Sequence, residues 1–215
     1  MSDFLVTFFR VLAVLVFLYL NWRTLGDNYD EKKLVAANWL GLLAFVVGGR
    51  LVFGLLNWGV WNRSIFDWFA VFSKPGLIVG GGYVGFLLIM GMVSKVNGWK
   101  YWSVLEDSVN PWLWFLILWR VGEMKFVWTW VAEEILLILV LVACWVFAKR
   151  YRSFWWYKSG KKGFVFMMAN LIFGLGYLLL SLVFGYDLSQ VVLALTMVLQ
   201  SGAGLFMLGE VFKKV

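Results

Sequence analysis

Seven apolar runs of bilayer-crossing length, the fourth of them short, leave this chain few folds to choose from. They lie at roughly residues 4–21, 34–56, 77–94, 108–124, 127–148, 163–184 and 190–211. A helix rises about 1.5 Å per residue and the hydrocarbon core is about 30 Å thick, so about 20 apolar residues make one crossing. The expected fold class is therefore all-α: a polytopic membrane protein of about seven transmembrane helices, with residues 1–215 as a single helical domain. Composition excludes the soluble alternative, because 63% of the residues are hydrophobic, 14% are charged and the mean hydropathy is +0.84. The 15 tryptophans fit helix ends held at membrane interfaces.

Several function classes drop out at once. The chain has no histidine, which removes the usual general base, the usual zinc ligand and any serine–histidine or cysteine–histidine pair. Its single cysteine, Cys144, excludes an internal disulfide and a multi-cysteine metal site, and its apolar mid-span setting marks it as a packing residue. No metal and no cofactor are expected. The first apolar run lacks a small-residue exit site and leads straight into a polar loop, so no cleavable signal peptide is expected. No internal repeat supports an inverted-repeat transporter. The segment 57–75 interleaves aromatic and polar residues around Arg63 and Asp67, and reads as an interfacial amphipathic stretch rather than an eighth span.

Charge gives the orientation. With the N-terminus outside, the inner loops and tail hold Arg23, Lys32, Lys33, Lys95, Lys100, Lys149, Arg150, Arg152, Lys158, Lys161, Lys162, Lys213 and Lys214. The outer side then holds only Arg63, Lys74 and Lys125. That excess predicts the N-terminus outside and the C-terminus in the cytoplasm. The net charge of +7 is thus a topology signal. The 149–162 cluster suits anionic lipid headgroups, and no nucleic-acid partner is expected.

The remaining basic residues, Arg10, Arg50 and Arg120, fall inside apolar runs. An arginine at the bilayer centre costs about 2.5–3.5 kcal/mol on the insertion scale, so each should turn towards a partner, water or a polar ligand. The stretch from Gly76 to Lys125 organises the reading: two spans, a glycine run in the first and Arg120 near the end of the second. Arg50, between Gly49 and Leu51, is expected to meet an acid, carbonyls or a lipid phosphate, with Glu106, Glu123, Glu134 and polar groups of the sixth span as candidates. Plainer readings stand beside these. Gly80, Gly81 and Gly82 with Gly85 either let helices approach closely or offer amides to a headgroup. Arg120 and Glu123 are spaced as an i, i+3 pair. Glu133 and Glu134 begin a helix, where acids meet its dipole, and Glu106 with Asp107 reads as a cap for the fourth span.

Several segments resemble one family in order and spacing. VVGGRLVFGLLNW in span two is similar to a GGRLGYVLFYN-type segment of the prolipoprotein diacylglyceryl transferases. WFAVFSKPGLIVGGGYVGFLL resembles that family's stretch ending in a GGxSFHGGLIG-like run, and WKYWSVLEDSVNPWLWFLILWRVGEM its aspartate, proline and GRIGNF-type signature. AEEILLILVLVACWVF, GFVFMMANLIFGLGYLLLSLVF and DLSQVVLAL resemble its later spans, so the likeness runs along nearly the whole chain at low identity. By this resemblance Arg120 and Gly122 match the arginine and second glycine of the signature. Arg50 matches the arginine of span two, Gly80–Gly82 the glycine run, and Glu133 or Glu134 a glutamate of span five.

The resemblance implies transfer of a diacylglyceryl group from phosphatidylglycerol to the cysteine thiol of a lipobox-bearing preprolipoprotein, at the outer face of the bacterial inner membrane. It implies catalytic roles for Arg120, Glu123 and Glu134, and substrate binding by Arg50, Gly80, Gly81, Gly82, Gly122 and Tyr177. Some family positions differ here. The glycine run has no histidine, Glu123 replaces an asparagine, Tyr177 replaces the arginine of the sixth span, and Ser181 replaces a glutamate one turn on. Two functions stay open: a diverged transferase, or a catalytically silent relative that binds phospholipid or a membrane partner.

Overall fold

Hydrocarbon offers no hydrogen bonds, so a chain with long apolar runs satisfies its backbone within helices. The computed structural model describes residues 3–56, 79–122, 127–154, 157, 161–186 and 188–209, and among them there are seven α-helices and no strand. They are α1 (Asp3–Leu25), α2 (Glu31–Leu56), α3 (Val79–Val96), α4 (Tyr101–Gly122), α5 (Trp128–Arg150), α6 (Phe164–Phe184) and α7 (Leu188–Gly209). A short 3₁₀ turn, Tyr151–Ser153, follows α5. The interfacial reading of 57–75 and the role of Glu123 fall outside the described residues.

Five helices, α1, α2, α5, α6 and α7, are long and apolar enough to cross a membrane, and α3 is a shorter apolar helix. α4 is the most polar of the predicted spans, with Glu106, Asp107, Ser108, Asn110 and Arg120 along it. The outward faces are greasy: on α5 alone Ile135, Ile138, Leu139, Val142 and Trp145 are exposed at helical spacing. A surface of that kind belongs in lipid. The protein is an all-α, multi-pass membrane protein.

Contacts divide the chain into two compact units, Asn28–Tyr101 and the pair of segments Met1–Asp27 and Trp102–Val215. In the first, α2 and α3 pack antiparallel with their backbones nearly touching. A Cβ added to Gly81 would lie 2.5 Å from the Gly48 carbonyl oxygen, and one on Gly82 would lie 2.8 Å from that of Phe45. Cβ atoms on Gly48 and Gly85 would strike the carbonyls of Gly81 and Ala44. Lipid is as apolar as leucine, so helices here associate through close van der Waals packing, and small residues permit it. Beyond α3 the chain turns at Gly98, whose φ of 69° suits glycine, and the Tyr29 and Trp99 rings meet 4.9 Å apart.

The other unit holds α1 and α4–α7. α1 runs antiparallel to α4: Arg10 lies 5.1 Å from the Trp119 ring, while Phe17 packs on Trp112 at 4.7 Å and Phe115 at 5.8 Å. α5 and α6 pair through Gly176, which receives the Leu136 side chain, and α6 and α7 through Gly174 beside Ala194. Phe17, Leu105, Leu137, Val140, Phe164 and Met167 form its buried core.

Candidate functional site

Where α4 ends and α5 begins, the two helices bring charge together and α6 adds a phenol. Arg120 sits in the last turn of α4, and Glu133 and Glu134 lie one turn into α5. The Arg120 Nε donates to Glu134 Oε1 at 3.1 Å, and its Nη2 pairs with Glu133 Oε2. The Tyr177 hydroxyl of α6 donates to Glu133 Oε1 at 3.3 Å, and the Trp130 indole N–H donates to the Arg120 carbonyl at 3.2 Å. One guanidinium thus holds two carboxylates, a phenol steadies one of them, and an indole ties the first turn of α5 to the last of α4. Glu134 is 7% exposed. Such a carboxylate is tolerated because a hydrogen-bonded opposite charge meets it.

The formal charge of these three ionised side chains is −1. Just beyond α6, burial, and then the neighbouring Glu133 carboxylate, raise the Tyr186 phenol above its ordinary range, so it stays protonated. The cluster can fasten α4, α5 and α6 and can offer proton acceptors. As arranged it holds Arg120 in a fork already shared between two acids.

The other end of α4 carries a second polar cluster that the sequence reading assigned differently. Glu106 was expected to cap its own helix. Instead its Oε2 accepts the backbone N–H groups of Gly163 at 2.6 Å and Val165 at 3.0 Å, at the start of α6. It therefore serves donors that α6 cannot bond internally. Gly163 itself has φ 115° and offers no side chain for the purpose. The Tyr151 hydroxyl donates to Glu106 Oε1 at 3.4 Å, and Lys162 Nζ bonds Asp107 at 3.1 and 3.2 Å. Tyr151, Tyr157 and Phe164 pack around this end, with Tyr157 and Phe164 4.6 Å apart.

Of the residues singled out from sequence, Arg120 and Glu134 are in contact, and Tyr177 joins them through Glu133. Gly122 lies beside them in chain order but packs on α1, where an added Cβ would come 3.1 Å from that of Phe9. Arg50, Gly80, Gly81 and Gly82 belong to the α2–α3 unit. There Gly81 and Gly82 are buried in the helix contact, Gly80 is half-buried, and Arg50 is 4% exposed with its guanidinium 6.0 Å from the Phe53 ring. Trp130, Tyr186 and the α6-capping role of Glu106 carried no sequence signal, since each depends on which helices become neighbours. Compared with known proteins, the chain matches no family model and no curated protein sequence.

Proposed function

We propose that this is a phospholipid-contacting protein of the bacterial plasma membrane, similar in plan to the diacylglyceryl transferases but without transfer activity. The N-terminus faces outward and the C-terminus lies in the cytoplasm. The observation that carries the reading is the double engagement of Arg120 by Glu133 and Glu134. A transferase needs open cations to stabilise a departing glycerol phosphate. Here an incoming phosphate would have to displace a carboxylate from a site of net negative charge.

The transferase itself is the second reading, favoured by one feature. Glu134 is buried against Arg120, and exchange of one carboxylate for a phosphate would leave a proton acceptor beside the bound lipid. Diacylglyceryl transfer to a lipobox peptide in vesicles containing phosphatidylglycerol separates the two. No transfer is expected, and turnover that Arg120→Gln abolishes would replace the first reading with the second.

Orientation is tested independently at the two ends of α5. Ser153→Cys and Val127→Cys place thiols at exposed positions, while the native Cys144 is buried and stays unlabelled. An impermeant thiol reagent added outside intact cells should modify Val127→Cys and leave Ser153→Cys untouched. The reverse pattern would invert the topology.

A further inference from the structure

Four residues of α1, Ala13, Phe17, Asn21 and Leu25, recur every fourth position and are at most 1% exposed. Three are apolar, and one is an amide. Neither the Nδ2 nor the Oδ1 of Asn21 has a hydrogen-bond partner among the described residues, and the side chain is 0% exposed. A buried amide with both ends unsatisfied is rare in folded proteins unless ordered water completes it.

The antiparallel register identifies what Asn21 faces. Arg10 lies at the level of Trp119, and Phe17 at that of Trp112 and Phe115. One turn further along α1, Asn21 comes level with the stretch of α4 from Ser108 to Pro111. Pro111 lies inside α4 and is buried there, as is Ser108. Proline has no N–H, so the Asp107 carbonyl four residues back loses its α-helical donor. An unsatisfied amide on one helix therefore stands at the level of a freed carbonyl and a buried hydroxyl on the other.

A second amide lies at the same depth. α6 starts beside Glu106 and runs parallel to α4, and Asn170 is six residues beyond Phe164, about 9 Å along the helix. Asn170 is 6% exposed and its Nδ2 also lacks a partner among the described residues.

We propose that this level of the α1–α4–α6 unit is a hydration site, in which ordered waters join the Asn21 amide to the Asp107 carbonyl and the Ser108 hydroxyl. The ligand class follows from the groups: two amides, Asn21 and Asn170, one carbonyl and one hydroxyl, with no charge among them. Ordered waters are one of the means, with neighbouring helices and Ser/Thr side chains, by which proline-interrupted membrane helices satisfy their freed backbone groups.

X-ray radiolytic hydroxyl-radical labelling of the full chain in lipid nanodiscs tests this, because X-rays form radicals from bound water as well as from bulk. Phe17 and Phe164 share a side-chain chemistry and are 1% and 0% exposed. Phe17, one turn from the site, should be oxidised severalfold faster than Phe164. Asn21→Leu should remove that excess and lower the unfolding midpoint by about 2–4 °C. Equal labelling of the two phenylalanines in the parent protein overturns the proposal, whatever the variant does. So does an Asn21→Leu protein that melts higher, since relief of a dry, unsatisfied amide stabilises.

Discussion

The two ends of α4 both carry charge, and they satisfy it by different means. At Arg120 the partners are other charged side chains on α5, joined across the unit by a guanidinium. At Glu106 the partners are backbone amides of α6, with a tyrosine on the second oxygen. The first arrangement is a balance of ions, each of which would be expensive to bury without the others. The second is a helix cap supplied from a neighbouring helix, in which the carboxylate answers partial charges that the α6 backbone presents anyway. The two ends should therefore fail differently: removing one ion strands its charged partners, whereas removing the cap deprives only neutral donors, two N–H groups and the Tyr151 hydroxyl, of their acceptor.

The largest effect is expected at Arg120. Arg120→Met leaves the buried Glu134 and the half-buried Glu133 without a cation, a loss of about 3–5 kcal/mol for breaking such a cluster from one side. Thermal unfolding in detergent, read by tryptophan fluorescence, measures it. Equal stability to the parent would mean that the acids find water or another cation, and would remove the distinction between the two ends.

A smaller loss is expected at the cap. Glu106→Ala leaves the Gly163 and Val165 N–H groups without their acceptor, at about 1–3 kcal/mol. Glu106→Gln keeps an acceptor oxygen and should recover part of that loss. Hydrogen exchange at the first turn of α6 reads the same event locally: faster exchange there in Glu106→Ala, with the Arg120 end unchanged, sharpens the contrast.

Least is expected of the Lys162–Asp107 bridge. The lysine side chain is 37% exposed, so the pair is partly screened by water, and Lys162→Met should cost about 0–1 kcal/mol. A loss as large as that from Glu106→Ala would show that the bridge, rather than the cap, holds the start of α6.

The helices were legible because apolar length alone dictates them in lipid. Their ends differ where polar turns continue the helix: α1 reaches Leu25 rather than stopping at residue 21, and α4 begins at Tyr101, about two turns before residue 108. Glycine packing was legible in kind, since Gly81, Gly82 and Gly85 lie in a small-residue run, although nothing local named Gly48 and Ala44 as the opposing residues. Arg120 stood out because an arginine in an apolar run needs company. Its partners did not, because the nearest acid in sequence is Glu123, whereas the contacts made within the described residues come from 13 and 14 positions away. Glu106 caps α6 and not the helix that carries it. Residue type disclosed the chemistry there, and only helix adjacency disclosed the recipient.

That Arg120 is bound internally, and is not held open for a phosphate, is tested most directly by removing the whole cluster. The triple variant Arg120→Met, Glu133→Leu, Glu134→Leu leaves no ion without a partner, and buried ion clusters replaced by apolar residues of similar volume are commonly as stable as before. Its unfolding midpoint should return close to that of the parent, well above that of Arg120→Met alone. A triple variant as unstable as the single one would contradict the account, because the damage would then come from something Arg120 does apart from Glu133 and Glu134.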